Sequence, residues 1–290
     1  MAENQNPDIG SLFELYRYTP SIPAAAIFAV LFATTTAVHI YQLVRTRTWY
    51  FLPLVIGGIF QVIGYIGRIL AHNNLDSMPI YSVHTITILL APALYAVSIY
   101  MVLGRLITFV GGERLSLIRV KWITRIFVCG DIIAFCSQAA GGGTMASGTI
   151  GALETGEHIT VAGLCVQLAF FSFFILTATN FHLRFSRISS RSSVRRAESS
   201  GSRILTVRTW ETVLWSLYIT SVMILVRSAF RVIEFGMGNN GYLLRHEVFA
   251  YVFDATLMFI TMVCLIVVHP ASIIKPKKEQ YGSEVNMCLT

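Results

Sequence analysis

Seven long apolar runs, separated by short polar connections, constrain this chain more than any other feature. They fall at about Ile22–Val44, Phe51–Ala71, Ile80–Leu106, Trp122–Ala140, Ile159–Phe181, Val213–Val232 and Val248–Val268. A run of roughly 20 apolar residues matches the hydrocarbon thickness of a bilayer. Lipid offers no water to bond the backbone, so each run must satisfy its own amides as a helix. The expected fold is an all-α integral membrane protein, a seven-transmembrane-helix bundle. Only 13% of the residues are charged, where a soluble domain carries roughly 25%. The third run is long enough to tilt, and Pro92 within it is expected to kink the helix.

Basic residues set the orientation of such a bundle. The segments 45–50, 105–125, 183–212 and 269–290 hold 17 of the 22 Lys and Arg but only five of the 15 acids. The connections near Asn73–Pro79 and Gly141–Glu157 contain no Lys or Arg. This bias predicts the N-terminus outside and the C-terminus in the cytosol. Residues 1–21 would form an extracellular tail, 22–268 the transmembrane domain, and 269–290 a cytosolic tail expected to be disordered. The first tail carries Glu3, Asp8 and Glu14 without an apolar core, so the first span is expected to act as its own insertion signal. The net charge of +7 then reflects topology, and no nucleic-acid partner is needed to explain it. Four of the five cysteines lie in apolar runs and one in the last tail, which predicts reduced packing residues rather than disulfides.

The longest inside connection, around Ser186–Arg203, is rich in Ser and Arg and is expected to be disordered. Arg187–Ser190 and Arg196–Ser199 have a spacing many kinases accept, so a cytosolic regulator or kinase acting on 183–209 is a candidate partner. The Gly141-Gly142-Gly143 run is expected to end the fourth helix and open an outside loop.

Ionisable groups inside spans are costly and usually face a bundle interior. Here they recur at helical spacing. The sixth run carries Arg227, Arg231 and Glu234, and the seventh carries Glu247, Tyr251 and Asp254. The second carries Gln61, Tyr65 and Arg68, and the fourth carries Asp131 and Gln138. At roughly 1.5 Å per residue, Asp254 lies about 10 Å in from its outer end, and Arg227 about 8 Å from its own. Lone charges at that depth would each cost several kcal/mol. These positions predict an outer-half network of Arg68, Arg227 and Arg231 with Glu234, Glu247 and Asp254. Such a network would either fix helix register or bind a zwitterionic or amphiphilic headgroup. Asp131 sits near mid-membrane without an obvious partner, Gln167 on the next helix being one candidate, and unpaired it could carry protons.

Several function classes do not fit. A retinal protein needs a Lys inside a span for its Schiff base, and the four Lys lie at 121, 275, 277 and 278. No stretch is long enough for a nucleotide-binding domain. His72, His84, His158 and His246 fall near the outer boundary, but none has the spacing of a metal motif. No catalytic residues, metal site or cofactor are expected.

Several local patterns carry a family likeness. They are Tyr18-Thr19-Pro20-Ser21, Gly64-Tyr65-Ile66-Gly67-Arg68, Leu90-Ala91-Pro92-Ala93 and Ser98-Ile99-Tyr100-Met101 followed by Gly104-Arg105. Asp131 with Gln138, Arg227 through Glu234, Glu247 through Asp254, and His269-Pro270 complete the set. With these residues the chain resembles the fungal lipid-translocating exporter family, also called RTA-like for resistance to aminocholesterol. The likeness covers about residues 16–272. It implies a seven-helix plasma-membrane protein that exports amphiphilic lipids, such as sphingoid long-chain bases or amino-sterol toxicants, and supports lipid-stress or drug resistance. One branch of the family implies porphyrin movement instead. Gln61 departs from the Glu expected at that position, which puts an acidic role there in doubt. Two further classes stay open: a G-protein-coupled-receptor-like lipid or stress sensor, and a membrane hydrolase, which would hold stoichiometric zinc.

Overall fold

The computed structural model describes residues 21–73, 78–145, 150–196, 202–237 and 247–268. Helix α1 spans Ile22–Thr46, with Pro23 presetting its first turn. It closes on Arg47, which takes a left-handed conformation and donates its N–H to the Leu43 carbonyl. A short 3-10 turn, Trp49–Phe51, leads into α2, Leu52–Asn73. Helix α3 spans Met78–Phe109, α4 Val120–Met145, α5 Ile150–Arg196 and α6 Ser202–Gly236. Helix α7 covers Glu247–Val267, and residues Tyr251–Thr256 within it wind as a π-helix. Seven of these helices are long and apolar enough to cross a membrane.

Helix α2 divides into an exposed stripe and a bundle-facing one. Ile56, Ile59, Ile63, Ile66 and Leu70 repeat every three or four residues and are all exposed. That spacing keeps them on one side of a 3.6-residue turn. Leu54, Gln61, Tyr65 and Arg68 lie on the opposite side and are buried. Exposed isoleucines would be a liability in water, but they suit contact with acyl chains.

Helix α3 is the most buried of the seven and packs against α2, α4 and α6. Its approach to α2 depends on Gly57: a Cβ there would stand 2.9 Å from the Ala91 carbonyl oxygen and 2.7 Å from the Tyr95 ring. Helices α4 and α5 pack equally closely, since a Cβ on Gly163 would stand 2.8 Å from the Ala134 carbonyl oxygen. Small residues bring backbones together where lipid supplies no hydrophobic drive for association.

Two expectations are corrected. The glycine run 141–143 does not end α4, which continues to Met145. Gly141 lies so close to Gly156 and Thr160 of α5 that the neighbouring helix holds the segment in register. The Ser- and Arg-rich connection is also not an irregular loop through Ser186–Arg203. Helix α5 runs on to Arg196 and α6 begins at Ser202. No Gly or Pro interrupts residues 186–196, and extending an existing helix is far easier than nucleating one. Residues 197–201 fall outside the described residues, as do the tails 1–20 and 269–290.

Candidate functional site: a buried ion cluster

The inward stripes of α2, α6 and α7 meet at the end of the bundle where α2 finishes and α3 begins. Arg227 and Arg231 stand one turn apart on α6, and both bind the carboxylate of Asp254 on α7, one to each oxygen. Arg231 also donates to Glu234 at 2.9 Å, three residues further along its own helix. Arg227 spends a second N–H on the Ile88 carbonyl of α3 at 3.1 Å. Asp254 is thus clamped between two guanidinium groups, one tied to α3 and the other to the next turn of its own helix.

The π-turn explains how Asp254 reaches that position. A π-turn inserts one extra residue into the helix, and such bulges occur frequently at functional sites. Here it lets both Asp254 and Ala255 face inward. Thr256 stabilises the wider turn by donating its hydroxyl to the Tyr251 carbonyl five residues back, at 2.9 Å.

A second pair closes the cluster toward the end of the bundle. Arg68 donates to Glu247 at 3.2 Å. The same carboxylate accepts the Tyr251 hydroxyl at 3.1 Å and the Ser21 backbone N–H at 3.0 Å to each oxygen. Glu247 therefore fastens the start of α1 to α7 and α2. The Arg68 guanidinium also sits 4.9 Å from the centre of the Tyr251 ring, an attractive cation–π arrangement. Tyr251 continues a stack of near-parallel rings: it faces Phe28 at 5.4 Å, Phe28 faces Tyr65 at 5.8 Å, and Tyr65 faces Phe32 at 5.5 Å. This aromatic wall joins α1, α2 and α7 beside the charges.

Three cations and three anions make the six-member set electrically neutral. Arg227, Asp254, Glu234 and Arg68 are buried, whereas the side chains of Glu247 and Arg231 each keep 16% of their surface. Burial of an ion costs several kcal/mol that only good pairing offsets. The two partly exposed side chains are therefore the members through which a ligand charge can enter.

Below the charges Gln61 is fully enclosed, and among the described residues neither end of its amide has a hydrogen-bond partner. The Thr36 hydroxyl of α1 is likewise enclosed without a partner among those residues.

A separate polar seam runs between α4 and α5. Gln138 donates its amide to Gln167 at 3.0 Å, and Ser137 donates to the Ile159 carbonyl at 3.1 Å. The expectation that Gln167 partners Asp131 is corrected: the partner is Tyr100 of α3, whose hydroxyl donates at 3.1 Å. Gln167 lies nearer the level of Gln138, about 10 Å along α4 from Asp131. Tyr100 belongs to one of the local patterns quoted above, yet nothing in its own spacing marks it as Asp131's partner. The Ser21 N–H, the Ile88 carbonyl and the Phe28 and Phe32 rings join the site through tertiary packing that no spacing marks, whereas Tyr65 and Tyr251 of the same wall already stood on the inward stripes.

Comparison with known proteins gives a consistent result. The profile of the family described as RTA1 like protein matches residues 54–277. Protein RTM1 of Saccharomyces cerevisiae is 33% identical over 301 residues, covering 90% of this chain and 93% of the relative. Protoporphyrin uptake protein 1 of the same species is 34% identical, covering 87% and 90%. A Saccharomyces cerevisiae protein named sphingoid long-chain base transporter RSB1 is 29% identical, covering 95% of this chain and 77% of the relative. No solved structure matches the chain.

Proposed function

The chain belongs to the RTA1-like family of multi-pass membrane proteins, and from that premise we propose that it translocates amphiphilic lipids bearing a cationic head. Sphingoid long-chain bases are the class to which one relative's name points. The observation that carries this reading is the closed, neutral ion cluster with Glu247 at its rim. An ammonium group arriving there can join Glu247 beside the Arg68 guanidinium, because the carboxylate keeps 16% of its surface. Pairing with that carboxylate offsets the several kcal/mol that an unpaired ammonium would cost in the same surroundings. The Tyr251 ring offers a second attraction for the same ammonium. The acyl tail lies among the helices beside the ring wall. The N-terminus faces outward and the C-terminus the cytosol, consistent with the basic residues at one end, and the protein works in the plasma membrane. It moves its cargo without altering it chemically.

Asp254 plays a different part from the one a headgroup receptor would need. Both its oxygens are occupied by guanidinium groups and it is almost fully enclosed, so it organises the cluster while Glu247 meets the cargo. The test is flux of a labelled long-chain base through liposomes holding the purified chain. Glu247→Gln should lower that flux about tenfold, the equivalent of about 1.4 kcal/mol lost at the headgroup. Undiminished flux in a correctly folded Glu247→Gln protein would remove the headgroup role.

A porphyrin is the second cargo class, supported by the name of another relative and by the partial exposure of Arg231. Its carboxylates would exchange with Glu234 on that guanidinium. The same liposomes loaded with a dicarboxylic porphyrin separate the two classes.

A further inference from the structure

Asp131 stands apart from everything described for the ion cluster. It lies on α4, 11 residues from Val120 and 14 from Met145, which puts it near the middle of the span. It is buried, and among the described residues no Arg, Lys or His pairs with it. The groups that face it are few. Helix α3 supplies the Tyr100 hydroxyl, and α5 supplies Phe171 and Phe174 around the Tyr100 ring. Its own helix supplies Phe127 one turn away, while Cys129 and Cys136 are exposed on other faces. The charges of the ion cluster belong to α2, α6 and α7.

A bare carboxylate in such surroundings would cost several kcal/mol, and one phenol does not offset that. Some positive species must therefore accompany it. The rings leave little space for one. Tyr100 lies 4.6 Å from Phe174 and 5.4 Å from Phe127, and Phe127 lies 5.3 Å from Phe174, measured between ring centres. All three rings are fully buried. An ammonium headgroup or a hydrated metal ion would have to push this cluster apart, whereas a proton needs no volume.

Toward the end of the bundle that holds the ion cluster, the next polar groups on this seam are Ser137 and the Gln138–Gln167 pair, about 10 Å along α4 from Asp131. Both amides can relay a hydrogen bond, and nothing in this seam takes part in the ion cluster.

We infer that Asp131 is a proton-binding site, and that uptake and release of its proton are coupled to cargo movement. The coupling rests on the transport reading above; the proton site does not. The proton comes from the aqueous phase at one face, converts the carboxylate to the acid, and leaves to water when the bundle changes state. Intramembrane carboxylates commonly serve such relays.

Two measurements test this, and they fail independently. Infrared spectra of the full chain in lipid, recorded in H2O and D2O, should contain a carboxylic-acid stretch that shifts with deuterium. Asp131→Asn should remove it and Asp131→Glu should move it, which keeps an answer available if the first variant folds poorly. A spectrum unchanged by either substitution overturns the proton site. The second measurement is flux of a trimethylated long-chain base, whose charge is independent of pH, at clamped membrane potential. An imposed proton gradient should drive it in the wild type, and Asp131→Asn should lose that response. Equal responses overturn the coupling. Wild-type liposomes that move no cargo at all overturn the transport reading together with the coupling, while the infrared result still decides the site.

Discussion

Asp254 and Asp131 are almost equally withdrawn from the surface, at 3% and 4% exposure, and they are held in opposite ways. Asp254 is gripped by two arginines inside a neutral cluster of six charges. Asp131 accepts the hydroxyl of Tyr100, whose ring is packed among phenylalanines. The first arrangement suits a permanent anion, because removing either partner strands the other. The second suits a group that changes charge, because almost nothing holds it in one state. Burial alone therefore does not tell what an intramembrane carboxylate does. Its partners do.

The largest effect should come from breaking the first arrangement. Asp254→Ala leaves Arg227 with only the Ile88 carbonyl and Arg231 with Glu234 alone, and loss of one partner of a buried pair costs about 3–5 kcal/mol. Thermal unfolding in detergent should show a strongly destabilised protein, and a small change would mean that the cluster is better hydrated than its burial suggests. Tyr100→Phe probes the second arrangement and measures its charge. A hydrogen bond to a neutral partner contributes about 1 kcal/mol, and one to a charged partner about 1.5–3. The expected loss is the smaller one, and a value at the top of the larger range would argue for a permanently ionised Asp131. Gln61→Leu should act least and in the opposite direction. Replacing an enclosed amide that lacks partners removes a desolvation penalty, so stability should rise by about 1 kcal/mol. A fall in melting temperature would indicate that something other than protein bonds that amide.

The comparison also separates what could be foreseen from what could not. The stripe Arg227, Arg231, Glu234 and the stripe Glu247, Tyr251, Asp254 stand at helical spacing, so their common faces follow from 3.6-residue geometry. Deep charges must find counter-charges, which limits the faces to pointing toward one another. Pairing within that set could not be foreseen. The i, i+3 and i, i+4 positions leave several combinations equally reasonable, and the extra residue of the π-turn shifts the α7 register in a way no periodicity records. Asp131 illustrates a harder case. Gln167 was a sensible partner by helix adjacency, yet α3 lies at the centre of the bundle and brings Tyr100 closer.

The boundaries of α4 and α5 failed for a related reason. Glycine runs and Ser- and Arg-rich stretches read locally as breaks, but a neighbouring helix at close range and the ease of extending a helix outweigh those local preferences.

By itself the sequence determined seven spanning helices, the polar faces that the second, fourth, sixth and seventh turn inward, and the residues that had to avoid lipid. These depend on hydrophobicity and backbone hydrogen bonding, which act within a single helix. The tertiary structure decided which charge meets which, where Glu247 fastens α1, how the π-turn aims Asp254, and that Asp131 meets Tyr100 rather than Gln167. Those outcomes depend on distances between helices far apart in the chain, and such distances are fixed only when all seven pack at once.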